Sequence, residues 1–381
     1  MHPLVYKLNI NKHSTEIGDT ICDNIEKLGL QVKKLGNLAI VKYPRELKFS
    51  KDNVIRCSRG LILDLESKSI VNYSLDGALD IDEFLDRVDI DDIAIEKILD
   101  GTMCNLYYYN NKWCVSTKFS IDASISKFRN NRSFRELLDE VVNIDTLPLD
   151  PKFCYSLLLQ HVDNRIVTPI EKNKVYFLES TNVVTGEKVF SDIGIPAIPL
   201  IYLCGQSIIG ELDMKSLDKI QNYVNELDWR EPGVMLFSKD RKYRCAIYNT
   251  KYTRVKELLD NQFNIKFLLT KLLVHNQYIK VGEILSYYPE YRPMFLEVQD
   301  AIGEFCNRVF EYYFKTKISR DREFLEIPKE YKKMIVDCHN RYRESREKGD
   351  TEFRVNISII REELQKYDMA LAYSIIFPKK N

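Results

Sequence analysis

No two of the nine cysteines stand in a C-x-x-C pair, no apolar run approaches the ~18 residues that a membrane-crossing helix requires, and neither sign of charge is in excess. Cys22, Cys57, Cys104, Cys114, Cys154, Cys204, Cys245, Cys306 and Cys338 are odd in number and scattered. They read as reduced, mostly buried small apolar side chains, not as a disulfide framework or a zinc centre. Lys and Arg total 56, as do Asp and Glu, so no overall field draws the chain onto a polyanion and any nucleic-acid site has to be a local cluster. The opening stretch MHPLVYKLNINKHST has neither the basic start, the apolar run nor the small-residue cleavage site of a secretory leader, so a cytoplasmic or otherwise intracellular protein with no membrane partner is expected. No internal repeat or low-complexity tract is visible.

What is present is a chain of 381 residues, 45% of them apolar, enough for a large core and for two or more domains. From about residue 36 to residue 250 short runs rich in Val, Ile and Tyr alternate with turn residues and predict antiparallel hairpins. One turns at Asn110-Asn111, a pair that tolerates positive φ; another joins Gly233–Lys239 to Tyr243–Tyr248 through Asp240-Arg241. Helical periodicity interrupts at Ser133–Val142 and Met214–Leu227 and then takes over at Phe263–Val274, Met294–Lys315, Lys329–Ser345 and Val355–Tyr367. The expectation is an α+β fold: an antiparallel-sheet domain over residues 1–258, then an all-helical domain over residues 259–381.

Chemistry-bearing residues fall in a definite order. Arg59-Gly60 precedes an apolar strand, offering a guanidinium that pairs with phosphate in a bidentate manner. Glu96-Lys97-Ile98-Leu99-Asp100-Gly101-Thr102 ends another strand. In an extended chain Ile98 shares a face with Glu96 and Asp100 while Lys97 lies with Ile95 and Leu99, so only a one-residue bulge at Ile98 or Leu99 would bring Lys97 beside Asp100. Lys118 closes the next hairpin, and His161 sits on a polar turn with no neighbouring Ser or Cys to activate, which favours a structural role. Asp163-Asn164-Arg165-Ile166-Val167 follows, and Glu231-Pro232-Gly233, Lys239 and Arg244-Cys245-Ala246 close the series. In Tyr107-Tyr108-Tyr109 alternation sends at least one ring into the core, and Lys329, Lys332, Lys333, Arg341, Arg343 and Arg346 form a modest basic surface on the helical part.

Taken in this order the segments resemble the phage-type ATP-dependent RNA ligases, a branch of the covalent nucleotidyltransferase superfamily that includes DNA ligases and mRNA capping enzymes. Arg59-Gly60 is similar to the family's Arg-Gly element, Asp100-Gly101-Thr102 to the second half of its Lys-x-Asp-Gly nucleophile motif, and Ser116-Thr117-Lys118 to its Thr-Lys strand. Asn164-Arg165-Ile166-Val167 resembles its Asn-Arg-Ile-Val signature, and Asn249, Tyr252, Val255 and Leu258 resemble the residues after its last motif. The resemblance implies an ATP-grasp-like nucleotidyltransferase domain, ATP and Mg²⁺ as cofactors of an active member, and RNA as substrate. It also implies three steps: a lysine takes AMP from ATP, AMP moves to a 5′-phosphate, and a 3′-hydroxyl displaces it.

This chain departs from the family at the reacting positions. Gapless alignment puts Ile98 at the nucleophile, Leu158 or Leu159 and Pro232 at two glutamates, and Ala246 at a late lysine, while Asp76-Gly77-Ala78-Leu79 lacks the family's lysine there. The preferred expectation is therefore a ligase-like protein, impaired or inactive, with no metal site and no cofactor, that keeps an RNA or nucleotide cleft built from Arg59, Gly60, Ile98, Asp100, Gly101, Lys118, Asn164, Arg165, Gly233, Lys239 and Arg244. The alternative is an active ligase that uses Lys97 in a bulged register. A third reading is a scaffold whose helical domain docks on a protein partner.

Overall fold

In the computed structural model, residues 2–8, 18–44, 52–127, 129, 131–210, 212–260, 262–321 and 323–378 are described. The chain divides into two compact units, Met1–Arg254 and Val255–Asn381. No helix among the described residues is long and apolar enough to cross a membrane.

The first unit is built on three antiparallel sheets. In chain order the strands are β1 (Gln31–Leu35), β2 (Leu38–Lys42), β3 (Ile62–Asp64), β4 (Ser69–Asn72), β5 (Ile93–Lys97), β6 (Thr102–Tyr109) and β7 (Lys112–Thr117). There follow β8 (Phe153–Gln160), β9 (Lys174–Asn182), β10 (Lys188–Val189), β11 (Leu200–Leu203), β12 (Gln206–Ser207), β13 (Gly233–Ser238) and β14 (Arg244–Tyr248). The sheet orders are β1-β2-β3-β4, β10-β9-β8-β6-β7 and β12-β11-β5-β13-β14. Asn110 and Asn111 both adopt positive φ (49° and 60°), as the tight β6–β7 hairpin demands.

Side-chain alternation then assigns the sheet faces. On β6, Cys104 and Leu106 point to a core shared with Leu137 and Leu138 of the helix Phe134–Asp139. That helix begins with a capping box between Ser133 and Glu136, which satisfies its first free N–H groups. The opposite face of β6 carries Met103, Asn105 and Tyr107; Tyr107 is buried against Ile40 and Ile62 of the small sheet and donates to the Ile121 carbonyl at 3.0 Å. In the third sheet, Ile93 and Ile95 of β5 and Val234 and Leu236 of β13 pack on Ile220 and Val224 of the helix Leu217–Glu226.

The second unit is helical throughout its described elements, with the helices Ile265–Val274, Tyr278–Tyr287, Arg292–Tyr313, Lys329–Glu347, Ile357–Gln365 and Met369–Ile376. The 22-residue helix Arg292–Tyr313 buries Val298, Ile302, Phe305, Cys306 and Val309, the stripe that its periodicity predicts. All nine cysteines are free thiols, and Cys22, Cys104, Cys154, Cys245, Cys306 and Cys338 are buried. The α+β class with antiparallel sheets followed by helices agrees with the expectation from sequence. The helices Tyr278–Tyr287 and Met369–Ile376 were not anticipated.

Candidate functional site

A cleft of about 760 Å³ opens between the two five-stranded sheets. Its floor is apolar: Met103 from β6, Leu158 from β8 and Leu178 from β9 face Met235 from β13 and Ala246 from β14. Leu178 reaches the cleft because the β8–β9 register slips between Ser156 and Leu157, so that Leu178 bulges out of the ladder and is re-aimed. The rim is cationic, with Arg59, Lys118 and Arg244 lining it.

β5 crosses behind this floor. Its pairing with β13 runs unbroken from Ser238↔Ile93 to Val234↔Lys97, which puts Glu96 opposite Met235 on the cleft face and Lys97 opposite the buried Val234 on the helix face. Lys97 Nζ donates to Glu231 Oε1 at 2.9 Å, and that hydrogen bond raises its pKa further above the usual lysine value. The bulge that would return Lys97 to the cleft is not formed. On the cleft side Glu96 is buried and pairs with Arg241 at 2.6 Å; burial raises its carboxyl pKa and the guanidinium only partly offsets this. Ile98 continues the Glu96 face by alternation and donates its N–H to the Gly233 carbonyl at 2.9 Å.

Asp100 and Gly101 hold the fold. The buried Asp100 carboxylate accepts hydrogen bonds from the N–H groups of Val167 (2.8 Å) and Thr168 (2.9 Å) and from the Tyr252 hydroxyl (2.8 Å). Its carbonyl accepts from Gln160 at 2.7 Å. A Cβ on Gly101 would stand 2.7 Å from the Leu159 carbonyl oxygen, so no other residue fits without a shift of backbone. Asn164 donates to Thr102 Oγ1 at 2.8 Å, and Arg165 donates through Nε to the Val167 carbonyl at 2.8 Å. Gly60 (φ 76°) and Gly233 (φ 133°) occupy backbone conformations that side chains resist, and Lys239 is exposed in the β13–β14 turn. His161 is buried between Glu140 Oε2 (2.9 Å) and the Asp163 N–H (3.1 Å), the structural role expected of it. Of the residues anticipated from sequence, Arg59, Lys118 and Arg244 line the cleft; Gly60, Ile98, Asp100, Gly101, Asn164, Arg165, Gly233 and Lys239 stand outside its lining.

Sequence reasoning did not single out the polar row beside the apolar floor. Ser116, Asn105 and Ser156 stand side by side across β7, β6 and β8, with Glu179 next on β9, and Ser156 donates to Asn105 Oδ1 at 2.9 Å. Lys188 of β10 then bridges Glu179 (3.4 Å) and Asp76 (3.1 Å), and Asp76 lines the cleft. Burial works to raise the Asp76 carboxyl pKa, but Lys188 and Arg244 overcome it and hold it below the ordinary value. Asp80, the other carboxylate of the lining, caps the helix Ile81–Leu85 by accepting the Glu83 N–H at 2.9 Å. With both carboxylates engaged and the floor apolar, the described residues that line the cleft do not fit a divalent cation. On the helical unit the anticipated basic surface is mostly spent on local partners: Lys333 pairs with Asp337 at 2.8 Å, and Arg341 with Glu362 and Glu363 at 2.6 and 3.0 Å.

The chain matches no family model. It is 25% identical over 264 residues to an RNA ligase of Rhodothermus phage RM378, covering 58% of this chain and 58% of the phage protein. It is 21% identical over 241 residues to an immediate-early protein ICP-46 homolog of Invertebrate iridescent virus 3, covering 60% of this chain and 51% of that relative. The match thus spans little more than half the length of these curated relatives. Among solved structures, two forms of an archaeal ATP-dependent RNA ligase are similar at TM-scores of 0.45 and 0.46, with 10% and 9% identity, over 79% and 80% of this chain and 82% of each ligase chain.

Proposed function

With the chain standing among the RNA-ligase-like proteins of the phage type, we propose that it binds a phosphorylated ligand, an RNA end or a nucleotide, in the cleft without forming a covalent lysyl-AMP. The observation that carries this reading is the direction of Lys97: its ammonium pairs with Glu231 on the helix face of β5, while Glu96 stands opposite Met235 on the other face. A side chain without an amine cannot make the phosphoramidate bond, so Ile98, at the nucleophile's place in the motif, cannot start ligation.

What remains suits recognition. Arg59, Lys118 and Arg244 supply positive charge at the rim, and the Met103, Leu158 and Met235 floor supplies apolar surface on which a base can lie. ATP and Mg²⁺ as cofactors belong to the active reading, which requires β5 to break its register with β13.

Incubation with α-labelled ATP and Mg²⁺ discriminates. The expected result is no covalent label in the wild type and none after Ile98→Lys, because one added amine leaves Leu158, Leu159, Pro232 and Ala246 in place. A label that survives denaturation and disappears in Lys97→Ala would establish the active ligase instead.

A further inference from the structure

Next to the cleft rim, the residue after Lys118 is an exposed phenylalanine. Phe119 is 53% exposed, and three cations stand about its ring: Arg59 at 5.5 Å, Lys118 at 5.8 Å and Lys42 at 5.9 Å from the centroid. Arg59 is also 5.2 Å from the ring of Tyr43, and both line the cleft. Burial, and after it the neighbouring Lys33, lowers the pKa of Lys42. Among the described residues none of Lys42, Arg59 and Lys118 has an ion-pair partner, whereas Lys97, Lys188 and Arg241 each have one.

The ring is held in place. Thr117 N–H donates to the Ser120 carbonyl at 2.9 Å, and Ser120 N–H returns to the Thr117 carbonyl at 3.4 Å, closing a tight turn with Lys118 and Phe119 at its two corners. Thr117 and Ser120 are both buried, so the turn is anchored at its base. Corners of such turns usually carry Gly, Asn, Asp or Pro, and a phenylalanine there leaves about half of its surface in solvent. A solvent-facing aromatic on an anchored turn, ringed by cations without carboxylate partners, is the composition of a stacking platform for single-stranded nucleic acid.

We propose that Phe119 stacks a base of a single-stranded RNA whose phosphates are gripped by Lys42, Arg59 and Lys118, so that the strand is led over the turn to the cleft. This inference rests on the cleft reading for its direction. The platform itself is tested separately.

The experiment measures binding of the full chain to a 3′-fluorescein-labelled single-stranded RNA of about twelve nucleotides by anisotropy, and of ATP by calorimetry. Phe119→Ala is expected to weaken RNA binding about tenfold, Phe119→Trp to restore it, and neither to change ATP affinity or the thermal midpoint. Lys42→Gln is expected to flatten the salt dependence of RNA binding, since one phosphate contact contributes a slope of about 0.7 on a single strand. Wild-type affinity in Phe119→Ala, or no RNA binding by the wild type at low salt, would overturn the platform. So would an equal loss for duplex RNA, because stacked bases in a duplex cannot use the ring. RNA binding that depends on Phe119 in a protein that fails to bind ATP would uphold the platform and defeat nucleotide binding in the cleft.

Discussion

Lys97 and Glu231 are each about two-fifths exposed, so their ion pair works against solvent and is worth less than about 1 kcal/mol. Asp100 belongs to a different class. Its buried carboxylate accepts three hydrogen bonds, two from backbone and one from a phenol, and truncating it leaves those donors without a partner. Asp100→Ala is expected to lower unfolding stability by about 2–4 kcal/mol, read as a shift of the urea midpoint with an unchanged slope. A pH titration tests the Asp76–Lys188 bridge. Because the folded-state pKa of Asp76 is depressed, its contribution is present above the ordinary value of 3.8 and lost as pH falls through the depressed one. The stability advantage of wild type over Asp76→Asn should therefore be full at neutral pH and shrink in acid.

At the scale of elements, the β13–β14 hairpin depends on one glycine. Gly233 sits at φ 133° with the Ile247 carbonyl oxygen 2.1 Å from where a Cβ would stand, so neither conformation nor space admits a side chain. Gly233→Ala is expected to cost about 3 kcal/mol or more, visible in thermal unfolding, and to detach the end of β13 that pairs with Lys97. Much at this scale was legible in the sequence. The Asn110-Asn111 turn announced itself through residues that tolerate positive φ, and period-two alternation alone assigned Lys97 to the face of Ile95. The bulge at Leu178 was not legible, since nothing in a run of apolar residues marks which one leaves the ladder. Nor was the row Ser116–Asn105–Ser156–Glu179, whose members come from four strands and meet only through register. Nor does the sequence mark Phe119 as exposed, since one aromatic after a strand end carries no local signal of the side it faces.

For the whole molecule, a formal charge of zero leaves room for a local cluster of one sign, and Lys42, Arg59 and Lys118 around Phe119 form one. RNA affinity is expected to fall with rising salt, but with the shallow slope of a few phosphate contacts, measurable by anisotropy between about 50 and 200 mM salt. Two compact units, Met1–Arg254 and Val255–Asn381, each have a core of their own, and calorimetry of the full chain is expected to show two overlapping transitions, not one.

The ties made by Asp100 and Gly101 give the two halves of Glu96–Thr102 different freedom to drift. Replacing either residue disturbs folding before any question of catalysis arises. Position 98 is tied through its backbone, a hydrogen bond to the Gly233 carbonyl that any residue but proline supplies, and its side chain is only partly buried. Within seven residues the chain thus passes from a position whose replacement tests chemistry to a pair whose replacement is read first as lost stability.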